Sequence, residues 1–548
     1  MKVSDLVVKC LEAEGVRYVF GLPGEEVEDL LFSLDNSSIT FVPCRHEQGA
    51  AFIADVWGRL TGEAGVCLST LGPGATNLMT PVADANLDKA PVVAITAQGG
   101  LDRLHHESHQ RLDIVQMFAP ITKWNGAVYD PRVVPDIIRN AFKIAELEKP
   151  GATHIELSED VARLEVSDEL APLPQRPVSR PEPDHQAVEE VLSLLRKAKR
   201  PLVIAGNGAI RESASDELSR LADGQSIPVV ATFMGKGAIS DRSPRSLFCI
   251  GTGFRDYVRE AVEAADLVLT VGYDIAEYAP DRWNPKSDKA IVHIDVAPAE
   301  VYGRYLAAVE VVGDIAATIR ALNAGLSTAP PDLDRNWFAP VRQRIVDDIA
   351  SYRLEGTPFT VPGALDIIRR VLPDDGLLIS DVGSHKIWIA RNFPTYRPNG
   401  CIISNGLAAM GIALPGGIAA GLATPGRAIV AAMGDGGFLM NSQELETAKR
   451  LGVGFTIVVF NDNDYGLISW KQDMSRGRST GTRITNPDLK AYAESFGIRA
   501  HRPDTVEGLS STLFEAIGSR ELRLVEIPVD ASVNRELDQK LQRYWSAR

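Results

Sequence analysis

Gly434-Asp435-Gly436-Gly437-Phe438 is followed, 26 residues after its aspartate, by Asn461-Asp462-Asn463. Carboxylate and amide oxygens of this kind suit Mg²⁺, a hard cation that prefers carboxylates, carbonyls and substrate phosphates. The glycines let the backbone approach a phosphate and offer N–H donors near a helix start. Two apolar runs deliver these clusters, AIVAAM (428–433) and FTIVVF (455–460), and both read as strands. Between them NSQELETAKRL (441–451) reads as an amphipathic helix. A β-α-β unit with a right-handed crossover is expected, which brings both clusters to the carboxyl ends of parallel strands, where open α/β sheets bind ligands. Turns use the same residue types, so the weight rests on the pairing rather than on either cluster alone.

A second candidate lies near the amino terminus. ITFVPC (39–44) reads as a strand that runs into Arg45-His46-Glu47-Gln48-Gly49-Ala50-Ala51, and a helix follows through AFIADVWGRLTG. Glu47 is therefore placed at a strand end and in a first helical turn. An acid there often does no more than complement the helix dipole.

The elements that must position these residues repeat along the chain. A length of 548 residues with 45% apolar content supports several cores. Proline-rich stretches at 168–185 and 327–337 look like linkers. They divide the chain into 1–167, 186–326 and 358–530, with a tail at 531–548. Each third alternates short apolar runs with helical patterns, for example GVCLST and PVVAIT, then PLVIAG and AIVHIDV, then GLLISDV and LRLVEIPV. The expected fold class is α/β: three tandem, open, mostly parallel α/β domains. The balance of 57 basic to 72 acidic residues, without a basic block, argues against nucleic acid and anionic membrane surfaces as partners. Five scattered cysteines without C-x-x-C spacing point to a reducing compartment. MKVSDLVVKCLEAEGV reads as an amphipathic helix rather than a signal peptide, so a cytoplasmic protein is expected.

This combination resembles the thiamine-diphosphate (ThDP)-dependent acetohydroxyacid synthase and 2-oxo acid decarboxylase superfamily. Gly434-Asp435-Gly436 closed by Asn461-Asp462 resembles its cofactor-binding motif, which closes with Asn-Asn. The resemblance implies that Asp435, Asp462 and the carbonyl of Asp464 hold Mg²⁺, with Asp462 standing where many relatives carry Asn. It implies that Gly434, Gly436 and Gly437 meet the diphosphate. R-H-E-Q-G-A-A is similar to the segment bearing the activating glutamate, which makes Glu47 the catalytic acid that protonates the cofactor's pyrimidine. Gly21, Pro23 and Gly24 resemble a glycine turn beside the substrate, and Gly72 and Asn77 resemble the ends of a G-P-G-x-x-N loop against the pyrimidine. His109 and Gln110 precede LDIVQMFAPITKW as in acetolactate synthases, which implies catalytic roles, with the glutamine facing the reacting carbon. Gly406 and Met410 resemble the loop whose bulky apolar residue bends the cofactor. Ser384, His385, Tyr465, Gly466 and Leu467 are implied as further cofactor contacts.

The whole pattern is most similar to the catabolic, FAD-independent acetolactate synthases, on segments such as VGYDIAEYAPDRWN (271–284) and IPVDASVN (527–534). It implies a transferase that decarboxylates pyruvate and joins the remaining two-carbon enamine to a second 2-oxo acid. The resemblance implies a homodimer at minimum and a homotetramer as the fuller assembly, with the cofactor between domains of different subunits. A 2-oxo acid decarboxylase that releases an aldehyde, or a flavin-containing enzyme like pyruvate oxidase, remain alternatives. FAD is expected to be absent, because Gly206-Asn207-Gly208 lacks the third glycine of a dinucleotide fingerprint. His105-His106 is similar to the paired histidines that protonate intermediates in simple pyruvate decarboxylases, although an exposed loop is the favoured reading, and Lys471 stands where catabolic relatives commonly carry glutamine.

Overall fold

A computed structural model describes residues 1–176, 178, 180–251 and 253–547. Apolar strands alternating with helices build three six-stranded sheets, and every strand pair in them is parallel. The first sheet contains β1 (Tyr18–Gly21), β2 (Thr40–Pro43), β3 (Gly65–Ser69), β4 (Val92–Gln98), β5 (Trp124–Val128) and β6 (Ala152–Ser158), in the order β2-β1-β3-β4-β6-β5. The second contains β7 (Pro201–Ala205), β8 (Val229–Ala231), β9 (Ser246–Cys249), β10 (Leu267–Val271), β11 (Ala290–Asp295) and β12 (Val309–Val312), in the order β12-β11-β10-β7-β8-β9. The third contains β13 (Leu377–Ser380), β14 (Cys401–Ile403), β15 (Ile429–Gly434), β16 (Thr456–Asn461), β17 (Arg499–His501) and β18 (Arg523–Pro528), in the order β14-β13-β15-β16-β18-β17. Counted from their own first strands, the first and third sheets share one order. The α/β class expected from the sequence is the class observed.

Two compact units carry these sheets. One comprises Met1–Val178, Gly406–Gly426 and Gly437–Gly454, and it holds the first sheet. Its centre is the helix Glu47–Thr61, in which Ala50, Phe52, Ile53, Ala54 and Val56 are fully buried. Burial on all sides follows from its neighbours, the helices Pro73–Leu87 and Ala413–Ala423, which both pack on it. Truncating Phe52 to Ala would cost about 3–5 kcal/mol, as large core deletions do. The helix Pro73–Leu87 contains a buried proline, Pro81, in its interior.

The other unit comprises the described residues of Ser179–Asn405, Arg427–Gly436 and Phe455–Arg548, with the second and third sheets. Its core includes a buried ion network: Arg391 pairs with Asp256 at 2.6 Å and with Asp348 at 2.6 Å. Lys540 joins Asp348 from the helix Ser532–Ser546, so the expected C-terminal tail is a docked helix. Trp388 Nε1 also donates to Asn534 Oδ1 on that helix at 2.7 Å.

The crossover between β15 and β16 differs in detail from the expected single helix. It consists of Asp435–Asn441 and Glu444–Leu451, because helical structure begins directly at Asp435. All five cysteines are buried and free. No helix among the described residues is long and apolar enough to cross a membrane.

Candidate active site

In the first unit the site residues sit at the carboxyl ends of β1 to β4. Glu47 follows β2 as the first residue of its helix and is only 7% exposed. Its Oε2 accepts from Asn77 Nδ2 at 3.0 Å. Its Oε1 would stand 3.2 Å from a Cβ placed on Gly74, so a glycine there leaves room beside that oxygen. Gly72, three residues beyond β3 and just before the helix Pro73–Leu87, has φ +43°, and a Cβ on it would lie 2.6 Å from the carbonyl oxygen of Gln110. The Gly72–Asn77 loop, Glu47 and the Gln110 backbone are thus brought together.

His109 and Gln110 themselves are exposed, Gln110 with φ +57°, and the His109 carbonyl accepts from Arg103 Nη2 at 3.0 Å. Gly21 ends β1 against the Leu68 carbonyl, Gly24 abuts Thr70, and Pro23 is exposed. His105 and His106 are exposed too, with ring centroids 4.3 Å apart.

The half-buried segment with Gly406 and Met410 is held by two aspartates: Gly406 N donates to Asp88 Oδ1, and Ala409 N donates to Asp84 Oδ1 at 3.1 Å. Arg59 binds both of these acids, at 2.8 Å and 3.1 Å, together with Asp55 at 2.5 Å. This buried cluster was not foreseen from the sequence. Its signal is the pair of four-residue spacings, 55–59 and 84–88, inside otherwise apolar helices.

The third sheet, in the second unit, mounts its own residues on its strand ends. Ser384 and His385 follow β13. His385 is buried beside Gly383 and Gly434, and burial pushes its imidazole down to about 4, so it is neutral. Its Nε2 has no hydrogen-bond partner among the described residues. Asp435 starts the helix after β15. Its Oδ1 accepts from Gly436 N at 2.9 Å, and its Oδ2 accepts from Asn463 N at 3.0 Å and from Asn486 Nδ2 at 2.5 Å. Asn486 lies 51 residues beyond Asp435 and was not foreseen, because nothing local marks it.

Asp462 follows β16, and its Oδ1 accepts from Asp464 N at 3.2 Å. Burial, reinforced by the charge of Asp435, pushes its acid up to about 7. Asp464 Oδ1 is buried without a hydrogen-bond partner among the described residues. Tyr465 is exposed, Leu467 is partly buried, and Gly466 opens the helix Gly466–Arg476. A Cβ on Gly466 would meet Asp462 Oδ2 at 2.6 Å and Ser384 Oγ at 3.1 Å.

Three family models match the chain in order. Residues 1–117 match the thiamine pyrophosphate enzyme N-terminal TPP binding domain, 188–322 the central domain, and 381–527 the C-terminal TPP binding domain. An acetolactate synthase of Bacillus subtilis is 35% identical over 545 residues, covering 97% of this chain and 94% of that protein. The chain belongs to the thiamine pyrophosphate enzyme family. A catabolic acetolactate synthase of Raoultella terrigena is 36% identical over 533 residues, covering 96% of this chain and 95% of its own. A probable acetolactate synthase large subunit of Methanocaldococcus jannaschii is 33% identical, covering 97% and 92%.

As in a thiamine pyrophosphate enzyme, the donor set fits a phosphate-bound cation. Asp435, Asp462 and Asp464 crowd negative charge around β15 and β16, and a divalent cation would relieve it. The orphaned Asp464 Oδ1 and the space that Gly466 leaves for Asp462 Oδ2 and Ser384 Oγ agree with that fit. Among the described residues no three His, Cys, Asp or Glu side chains form a ready metal cage.

The central domain follows a different logic. A Cβ on Gly206 would lie 2.3 Å from the Gly272 carbonyl, and one on Gly208 would lie 2.7 Å from Gly272 Cα. Close backbone packing therefore accounts for both glycines of that loop. The N–H of Asn207 donates to Glu277 Oε1 at 3.0 Å, and burial pushes the Glu277 acid up to about 7.

Proposed function

We propose that this thiamine pyrophosphate enzyme is an acetolactate synthase: it decarboxylates pyruvate and transfers the two-carbon unit to a second 2-oxo acid. The observation that carries this reading is near full-length similarity to acetolactate synthases, catabolic type included, in a chain that has Glu47 after β2 and Asp435 and Asp462 after β15 and β16. Bound ThDP supplies the carbon nucleophile and the electron sink that lets CO₂ depart.

The chain's own residues supply orientation, proton placement and charge. Glu47 Oε2 is engaged by Asn77, which leaves Oε1, beside Gly74, to carry the proton meant for the pyrimidine. Asn77 and Gly72 shape the wall next to it, and Met410, on a loop pinned by Asp84 and Asp88, would be the bulky apolar residue that bends the cofactor. Asp435, Asp462 and the carbonyl of Asp464 would hold Mg²⁺, with Gly434, Gly436, Gly437, Ser384 and His385 near the diphosphate and Tyr465, Gly466 and Leu467 beside them. Gln110, with His109 next to it, holds the acceptor keto acid near the mouth of the site.

FAD has no part in this reading, which is supported by Glu277 taking the N–H of the central-domain loop. The domains in this reading are 1–167, 186–326 and 358–530, followed by the 531–548 tail. The working assembly is at minimum a homodimer, with a homotetramer as its full form. A cytoplasmic setting is supported by the five free, buried thiols.

Product analysis tests the function. Purified protein given pyruvate, ThDP and Mg²⁺ should form 2-acetolactate, read as acetoin after acid treatment. Acetaldehyde as the dominant product would replace the reading with simple decarboxylation, and a flavin spectrum in the purified protein would overturn the FAD-free form.

A further inference from the structure

A proton donor works only if its carboxyl group is aimed, so the turn that carries Glu47 matters as much as Glu47 itself. The helix Glu47–Thr61 is capped by His46, whose Nδ1 accepts from Gln48 N at 3.1 Å. The N–H groups of Arg45 and His46, just outside the helix, need acceptors of their own. Both find the same carboxylate. Glu444 Oε1 accepts from Arg45 N at 3.1 Å and from His46 N at 3.0 Å.

Glu444 is fully buried, and its Oε2 accepts from Thr447 Oγ1 at 2.6 Å. Gly49, one turn further on, closes the remaining side. A Cβ there would stand 2.5 Å from Glu444 Oε1, so the position has no room for a side chain while the carboxylate is seated. All of these groups belong to the same compact unit. The arrangement is a buried clamp: one acid takes two consecutive main-chain donors directly before Glu47, is steadied by its own threonine, and is fitted against a glycine.

We propose that Glu444 is a positioning residue for the reaction, fixing the backbone before Glu47 and thereby the direction in which the Glu47 carboxyl group points. The proposal rests on the reading of Glu47 as the proton donor. A negative charge at a helix start is also favourable to the helix, so a purely structural role would make Glu444 matter for stability alone. The two roles separate in a reaction that needs Glu47 but no substrate: exchange of the cofactor C2 proton with deuterium.

The test uses full-length protein loaded with ThDP and Mg²⁺, quenched during exchange in D₂O and read by NMR. Thermal unfolding and ThDP affinity are measured alongside. Glu444→Ala should slow exchange about tenfold or more, the scale of a lost buried hydrogen-bond anchor, while ThDP affinity moves by no more than about threefold. Glu444→Gln, whose amide oxygen can still accept both N–H groups, should recover exchange to within about threefold. In steady state, kcat should fall in Glu444→Ala with the pyruvate KM held.

Exchange unchanged in folded Glu444→Ala, with Glu47→Gln slowed, overturns the positioning role and leaves the Glu47 reading intact. Exchange unchanged in Glu47→Gln overturns that reading instead. Should Glu444→Ala fail to fold, Thr447→Val removes the hydroxyl that steadies Oε2. Slowed exchange in that variant supports the proposal, and unchanged exchange overturns it.

Discussion

The first and third sheets share a strand order, and each mounts its candidate site residues on the carboxyl ends of its first four strands, yet they solve opposite electrostatic problems. At the first sheet the central acid, Glu47, stands at a helix start with a neutral amide donor, Asn77, on one oxygen. At the third sheet Asp435, Asp462 and Asp464 repel one another; burial and the Asp435 charge push Asp462 up to about 7, and one oxygen of Asp464 has no partner among the described residues. One fold thus yields a half whose acid is paired with a neutral amide and a half whose crowded acids a cation would relieve. The lesson is that topology sets where a ligand binds, while the charge at each strand end sets what the ligand must be.

Removing a third-sheet acid should break the comparison most severely. Asp435→Ala deletes the acceptor that gathers Gly436, Asn463 and Asn486, and should abolish retention of ThDP and Mg²⁺ on desalting. Glu47→Gln, at the first sheet, should keep cofactor binding and fold but lose about 10²–10⁴ in kcat, the usual scale for acid–base catalysis. Calorimetry of both variants with ThDP and Mg²⁺ checks the contrast, and equal loss of cofactor would erase it.

The mildest change sharpens the comparison through pH. Asp462 titrates at about 7 when folded against an ordinary value of 3.8, so the folded state holds its proton longer than the unfolded state. Stability of the cofactor-free protein should therefore fall as pH rises between those two values and level off above them. Asp462→Asn should flatten that slope and still bind Mg²⁺ through its amide oxygen. Denaturant midpoints measured from pH 5 to 8 decide it, and an unchanged slope would remove Asp462 as its source.

Much of this was legible because chemistry at strand ends is local in sequence. Gly434-Asp435-Gly436 and Glu47 each stand directly after an apolar run, so strand, turn and donor are read together. What stayed hidden acts at long range or runs against hydropathy. Glu444 meets His46 across 398 residues, and no local pattern shows it. Strand β6 was missed because His154 and Glu156 break its apolar run, although both are buried. His154 stacks on Phe118 at 4.1 Å and bonds Thr96 Oγ1 at 2.8 Å, so tertiary contacts overrule the polar composition. Asp435–Asn441 was not read as helix because its glycines suggested a turn.

Pro81 gives the helix Pro73–Leu87 a mechanical character of its own. Lacking an N–H, it cannot bond the carbonyl four residues back, which belongs to Asn77, the residue that grips Glu47. The continuous helix therefore behaves as two short rods joined where its hydrogen-bond ladder is interrupted, the place where a helix bends most readily. One rod carries Asn77, and the other carries Asp84, whose partners include Arg59 and the Ala409 N–H. Displacement of the Met410 loop, as when a bulky guest is seated or expelled, can flex this joint instead of levering Asn77 off Glu47. Glu47, the proton donor in the proposed reading, would then be insulated from traffic at the far end of the helix that grips it through Asn77.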